Sequence, residues 1–151
     1  MRTKSSKRNK INVITLGCSK NIYDSELLLG GFQRNNFKIV NEPVDADYVI
    51  VNTCGFLDEA RQESIDVILD LEGLRKNNRI SLLIVAGCMS ERFEDEMKVE
   101  LTHVDHFFGT SDSNKIINFI CSEAHHKFDP DFNRIHLTPK HYGYLKISEG
   151  C

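Results

Sequence analysis

The sequence predicts an α/β fold, a doubly wound and mostly parallel five-stranded sheet with helices on both faces. Short runs rich in Val and Ile are apolar almost without interruption, as strands covered on both faces are, and the segments between them carry helical periodicity. Three of these runs also end alike, passing through one or two small or polar residues to a cysteine: Ile11 to Cys18, Tyr48 to Cys54 and Leu82 to Cys88.

Taken in order, the first run is Ile11 to Leu16, and Leu27, Leu28 and Phe32 then predict a helix over Asp24–Gln33 that Gly30-Gly31 interrupts without abolishing. Phe37–Val40 reads as a second strand, followed by a connection with room for about one helical turn at Pro43. Tyr48–Asn52 is the third strand. Ala60, Ile65, Ile68, Leu69 and Leu71 predict a helix over Asp58–Arg75, with Asn77-Asn78 as its stop. The fourth strand is Ile80–Ala86, and Ser90 reads as the cap of a helix to Leu101 with acids in its first turn. Asp105–Phe108 is a brief fifth strand, and Ser113–Glu123 a last helix with Ile116, Ile117 and Ile120 inward. This is the pattern of Rossmann-like and flavodoxin-like domains. In strand order 2-1-3-4-5, strands one, three and four are neighbours about 4.8 Å apart, and the cysteines after them share the edge where such folds bind ligands.

The organisation expected along the chain is a basic flexible arm over 1–10, a domain over 11–124, and a segment over 125–151. In that last segment Pro130 and Pro139 mark a linker before strand-like alternation resumes at Tyr142. At 151 residues, 40% hydrophobic and 27% charged, the chain has the bulk properties of one folded domain, and no apolar run approaches a membrane span. No secretory leader is legible in MRTKSSKRNK, so a cytoplasmic location is expected. The net charge of -3 hides an asymmetry. Arg2, Lys4, Lys7, Arg8 and Lys10 hold five of the 19 basic residues, leaving 14 basic against 22 acidic, a net of -8, in the body. An acidic body favours a basic partner, while the arm reads either as a solubilising tail or as a nucleic-acid contact.

Five cysteines in a reducing compartment point to metal binding or catalysis rather than disulfides. One buried cysteine is often mere filler. Three at the same position past three strands are hard to reconcile with accident. Their separations, 36 and 34 residues, match no compact zinc finger, so the fold must assemble any joint site. Thiolate-only ligation selects zinc or an iron–sulfur cluster. Strand five ends in Phe108-Gly109-Thr110 with no fourth cysteine, which would leave one iron with an exchangeable position. Cys121, beside Ile117 and Ile120, reads as core. His125, His126, His136 and His141 show no ligand spacing and read as solvated linker, although zinc held by three cysteines and a histidine stays open.

Five blocks resemble the methylthiotransferases, radical S-adenosylmethionine enzymes with an extra cluster in an amino-terminal domain. They are Thr15-Leu16-Gly17-Cys18-Ser19-Lys20-Asn21 with Asp24-Ser25-Glu26; Val51-Asn52-Thr53-Cys54-Gly55-Phe56; Ala86-Gly87-Cys88; Phe107 to Asp112; and Tyr144 to Cys151. Gly17-Cys18-Ser19-Lys20-Asn21 and Cys54-Gly55-Phe56-Leu57-Asp58-Glu59-Ala60 resemble the RimO branch, which modifies an aspartate of a small-subunit ribosomal protein. The transfer-RNA branch reads differently at both places.

The resemblance implies that Cys18, Cys54 and Cys88 hold an auxiliary four-iron four-sulfur cluster, and that Cys151 is the first ligand of the radical S-adenosylmethionine cluster. It also implies that the other two cysteines of that motif, the S-adenosylmethionine site and the substrate-binding domain lie beyond a cut at a domain boundary. The intact enzyme would then hold two such clusters, and this fragment alone would be inactive. The implied reaction is reductive cleavage of S-adenosylmethionine, hydrogen abstraction at the aspartate β-carbon, and attachment of a methylated sulfur. Implied partners are the ribosomal protein, the radical domain of the same chain and the ribosome itself. A transfer-RNA adenosine methylthiotransferase and a zinc-stabilised interaction module are the alternatives. A flavodoxin-like electron carrier would want a phosphate-cradling first loop where this chain offers the Cys18 thiol.

Overall fold

A computed structural model describes residues 8–17, 19–55 and 58–130. Its elements follow in the order β1 (Lys10–Thr15), α1 (Ser19–Arg34), β2 (Lys38–Ile39), a 3-10 turn (Pro43–Asp45), β3 (Tyr48–Thr53), α2 (Asp58–Lys76), β4 (Leu82–Gly87), α3 (Cys88–Glu100), β5 (His106–Phe107) and α4 (Ser113–Glu123). The five strands form one sheet in the order β2-β1-β3-β4-β5, and every pairing is parallel. The doubly wound α/β expectation and its strand order hold.

Alternation along β3 and β4 sends side chains to both faces, and both faces are covered. Ile50, Ile84 and Ala86 pack under α1 and α4 with Leu28, Phe32, Ile116, Ile117 and Ile120. Val49, Val51, Leu83 and Val85 pack under α2 and α3 with Ile68, Leu71, Met89 and Met97. Burial on both faces is why the runs are continuously apolar. All six residues of β3 are buried, including the polar pair Asn52 and Thr53 at its end.

Three helices stop in the same manner. Asn36, Asn78 and His125 each adopt a left-handed φ (66°, 56° and 57°), and the next backbone N–H reaches back across the last turn: Phe37 to Phe32, Arg79 to Leu74, His126 to Cys121. Asparagine tolerates that conformation better than most side chains, which explains the stop at Asn77-Asn78.

Two helices begin earlier than periodicity indicates. α1 starts at Ser19 rather than Asp24, because its first turns bury polar side chains, Asn21, Asp24, Ser25 and Glu26, which carry no apolar signal. α3 starts at Cys88 with Gly87 as its N-cap. Ser90 is therefore no cap but a fully buried residue of the helix, and its hydroxyl finds no partner among the described residues.

The segment after α4 departs from a solvated linker as far as it is described. Asn35 and Asp129 exchange two bonds, Nδ2 to the Asp129 carbonyl at 3.0 Å and the Asp129 N–H to Oδ1 at 2.7 Å, while Arg34 Nε meets the Asp129 carboxylate at 2.8 Å. The His126 ring lies 4.7 Å from that of Phe37, with Nδ1 3.1 Å from the Asn35 carbonyl oxygen, so this histidine packs where a solvated one was expected. His125 is exposed, whereas His136, His141 and the strand-like stretch from Tyr142 lie outside the described residues. Among the described residues no helix is long and apolar enough to cross a membrane.

Candidate metal centre

The carboxyl edge of the sheet gathers the ends of β1, β3 and β4. In the β3–β4 register Thr53 stands opposite Gly87, so Cys54 and Cys88, the next residues, leave neighbouring strands side by side. Cys54 is 7% exposed, and Cys88 is half-buried as the first residue of α3, where the positive end of the helix dipole favours bound negative charge. Cys18 and Cys151 lie outside the described residues. The edge is thus more enclosed than an open rim, with Cys54 inside it.

Glycines let the three strand ends nest. A β-carbon at Gly17 would fall 2.3 Å from the Cys54 β-carbon and 2.9 Å from its Sγ, and one at Gly55 would fall 2.8 Å from the Met89 α-carbon. At Gly87 the φ of 99° and a distance of 2.5 Å to the Thr53 carbonyl oxygen both require glycine. The residue before Cys18 therefore lies against Cys54, and the residue after Cys54 lies against the residue after Cys88.

Beneath this edge runs a buried polar network that sequence reasoning missed. Asn21, from the first turn of α1, donates through Nδ2 to the carbonyl oxygens of Leu16 and Thr53, the latter at 2.9 Å. Asn52 Nδ2 donates to the Asn21 carbonyl oxygen at 3.0 Å and to Ser25 Oγ at 3.2 Å, and Thr15 Oγ1 bonds Ser25 Oγ at 2.7 Å. The Thr53 hydroxyl donates to the Ala86 carbonyl oxygen at 2.6 Å, and Ser64 Oγ to that of Cys54 at 3.3 Å. The available signal was a pair of polar residues, Asn52-Thr53, closing an otherwise apolar strand.

The Phe107 to Asp112 block has a local role. Glu91 Oε2, in the first turn of α3, accepts from the Thr110 N–H at 3.3 Å and hydroxyl at 2.6 Å, and Asp112 Oδ2 accepts from the Gly109 N–H at 2.9 Å. The loop after β5 is thereby tied to the helix that begins with Cys88. On the other side Arg61, in α2, places its guanidinium 4.1 Å from the centre of the Phe93 ring.

Cys121 is fully buried in the α1/α4 core, and burial pushes its thiol above the ordinary range. It belongs to packing, as its helical position indicates. Among the described residues no three His, Cys, Asp or Glu side chains gather as a metal site, a set that contains Cys54 and Cys88 but not Cys18. Two thiols on adjoining strand ends, with a third in the sequence next to Gly17, form a donor set that suits a soft metal or a cluster and not a hard cation.

A doubly wound α/β domain with Cys54 and Cys88 at the carboxyl edge of its sheet is the class that fold and site define. The family model described as uncharacterized protein family UPF0004 matches residues 10–109, and the chain belongs to that family. Along its length the chain is similar to proteins named ribosomal protein uS12 methylthiotransferase RimO. That of Christiangramia forsetii is 43% identical over 151 residues, covering 100% of this chain and 33% of the relative. That of Flavobacterium psychrophilum is 43% identical over 151 residues, 100% and 34%, and that of Chlorobium phaeobacteroides 45% identical over 148 residues, 97% and 33%. The chain spans about a third of the length of these relatives. The methylthiotransferase resemblance read from the cysteine motifs stands.

Proposed function

We propose that the chain is the cluster-carrying domain of a radical S-adenosylmethionine methylthiotransferase, with Cys18, Cys54 and Cys88 as ligands of one auxiliary four-iron four-sulfur cluster. The observation that carries the reading is the nesting of Gly17 against Cys54 and of Gly55 against Met89. Cys18 follows Gly17 directly in the sequence. When bound, the cluster would supply an iron with an open position for the sulfur to be inserted. The protein's own part is mechanical and electrostatic. Three strand ends would hold the thiolates, the α3 N-terminus would favour their negative charge, and the buried, hydrogen-bonded edge around Cys54 would keep out water.

In this reading residues 11–124 make the cluster domain, to which Lys10 in β1 and the packed stretch up to Asp129 also belong, with a basic arm before it and a linker after it running into the radical domain, where Cys151 is the first ligand of a second cluster. S-adenosylmethionine would bind that second domain, and the fragment alone would not turn over. The substrate is an aspartate of small-subunit ribosomal protein uS12, in keeping with the names of the relatives. The exposed acids Asp58, Glu59, Glu63, Asp66 and Asp70 along α2 agree with a basic protein partner and would repel a phosphate backbone. The working place is the cytoplasm.

Deletion of the gene for the full-length protein, followed by mass spectrometry of ribosomal protein and transfer RNA, tests the target. Loss of the methylthio group from uS12 with transfer RNA unchanged is the expected result. Loss from transfer-RNA adenosines beside an intact uS12 would assign the chain to the other branch.

A further inference from the structure

Side chains, not only the backbone, join the three strand ends. Leu16 O, Asn21 Nδ2, Thr53 O, Thr53 Oγ1 and Ala86 O form an unbroken series of contacts. The series starts two residues before Cys18, passes the residue before Cys54, and ends two residues before Cys88. Asn21 is 1% exposed and Thr53 0%, so the Asn21–Thr53 and Thr53–Ala86 bonds are shielded from water. The ladder bonds of the sheet do not duplicate the Asn21 link. They join β3 to β4 as far as Thr53 and Gly87, and the Leu16 N–H meets the Asn52 carbonyl oxygen at 3.0 Å, whereas Asn21 adds a link from the far side of position 18. Asn52, 2% exposed, holds Asn21 in turn by donating to its carbonyl oxygen.

We propose that Asn21 and Thr53 are positioning residues for the cluster, a clamp that sets the separation of the three thiols before metal arrives. The proposal rests on the metal-centre reading and assigns roles to residues that reading leaves unused. Asn21 can serve because its amide offers two N–H groups, one for each of two carbonyl oxygens that face each other across the gap between β1 and β3. Aspartate of the same shape offers none, and would bring a buried negative charge beside thiolates. Thr53 serves through its hydroxyl alone, so valine removes the bond at nearly constant volume and serine restores it.

The test uses the 151-residue chain, reconstituted anaerobically with iron and sulfide, in four forms: unaltered, Asn21→Asp, Thr53→Val and Thr53→Ser. Two quantities are read, the chelator concentration that removes half of the iron and the electron paramagnetic resonance spectrum of the reduced cluster. Thr53→Val and Asn21→Asp are expected to lose iron at about tenfold lower chelator, the usual scale for outer-shell partners of metal ligands. Their spectra should shift and broaden, while Thr53→Ser returns both readings to those of the unaltered chain. If Asn21→Asp does not fold, the Thr53 pair decides. Unchanged iron retention and spectrum in Thr53→Val, with iron bound normally by the unaltered chain, would overturn the clamp and leave the metal centre intact. Failure of the unaltered chain to take up iron would overturn the metal centre and the clamp with it.

Discussion

Gly17 and Cys54 are pressed together so closely that residue 17 has no room for a β-carbon, which would stand 2.3 Å from that of Cys54. This contact brings the loop after β1 onto the end of β3. Gly17→Ala should therefore both strain the backbone, whose φ is 90°, and displace Cys54. A loss of about 2–4 kcal/mol is expected from the two effects together. Urea unfolding measures it, and an unchanged midpoint would show that the loops do not nest as described.

Cys121 separates packing from ligation. Cys121→Ala leaves a small cavity among Ile117, Ile120 and the α1 core and should cost about 1–2 kcal/mol. Iron bound after reconstitution should not change. In Cys54→Ala the balance should reverse, with most of the iron lost and the sheet still folded by circular dichroism.

Much of the fold was legible because burial on both faces writes itself into composition. Val49, Val51, Leu83 and Val85 serve one face, Ile50, Ile84 and Ala86 the other, so the strands could be read without ambiguity. The stop after α2 was legible in Asn77-Asn78 for a local reason, the left-handed φ of Asn78. What escaped depends on partners far off in the chain. Asn21 meets Thr53, 32 residues on, and His126 meets Asn35 across 91 residues, and neither pairing leaves a period in the sequence. The early start of α1 was hidden likewise, since its first turns are buried yet polar. For the site, the repeated strand-end cysteines pointed to the edge, and the structure adds the glycines that let the loops approach.

The short strand β5 depends on one carboxylate. Asp105 accepts from Arg75 Nε at 2.8 Å and Nη2 at 3.0 Å and also from the Leu83 N–H at 2.8 Å, tying α2, β4 and β5 together. The bond to Asp105 raises the Arg75 pKa above its ordinary value. Asp105→Ala should cost about 1–3 kcal/mol. Hydrogen exchange should show the Asp105 and Phe108 N–H groups, which flank β5 and bond the Leu83 and Val85 carbonyl oxygens, losing protection before the amides of β3.

Alkaline stability follows from two buried acids. Burial, with Asp47 nearby, raises the Tyr48 hydroxyl, and burial raises the Cys121 thiol. The folded chain thus keeps protons that the unfolded chain releases above its ordinary values of about 8.5 for cysteine and 10 for tyrosine. Their contribution is complete below that window and declines as pH rises through it. The urea midpoint should hold between about pH 7 and 8 and fall from about pH 9 to 11. A midpoint that rose over the alkaline range would contradict the burial of both groups.

Metal content decides the central claim most directly. The 151-residue chain, purified and reconstituted without oxygen, should carry about four irons and four sulfides, show a broad charge-transfer band, and give a paramagnetic signal on reduction. Each of Cys18→Ala, Cys54→Ala and Cys88→Ala should abolish that signal. Stoichiometric zinc without iron, or an undiminished cluster in any one of these three variants, would contradict the assignment of one shared iron–sulfur centre to the three strand ends.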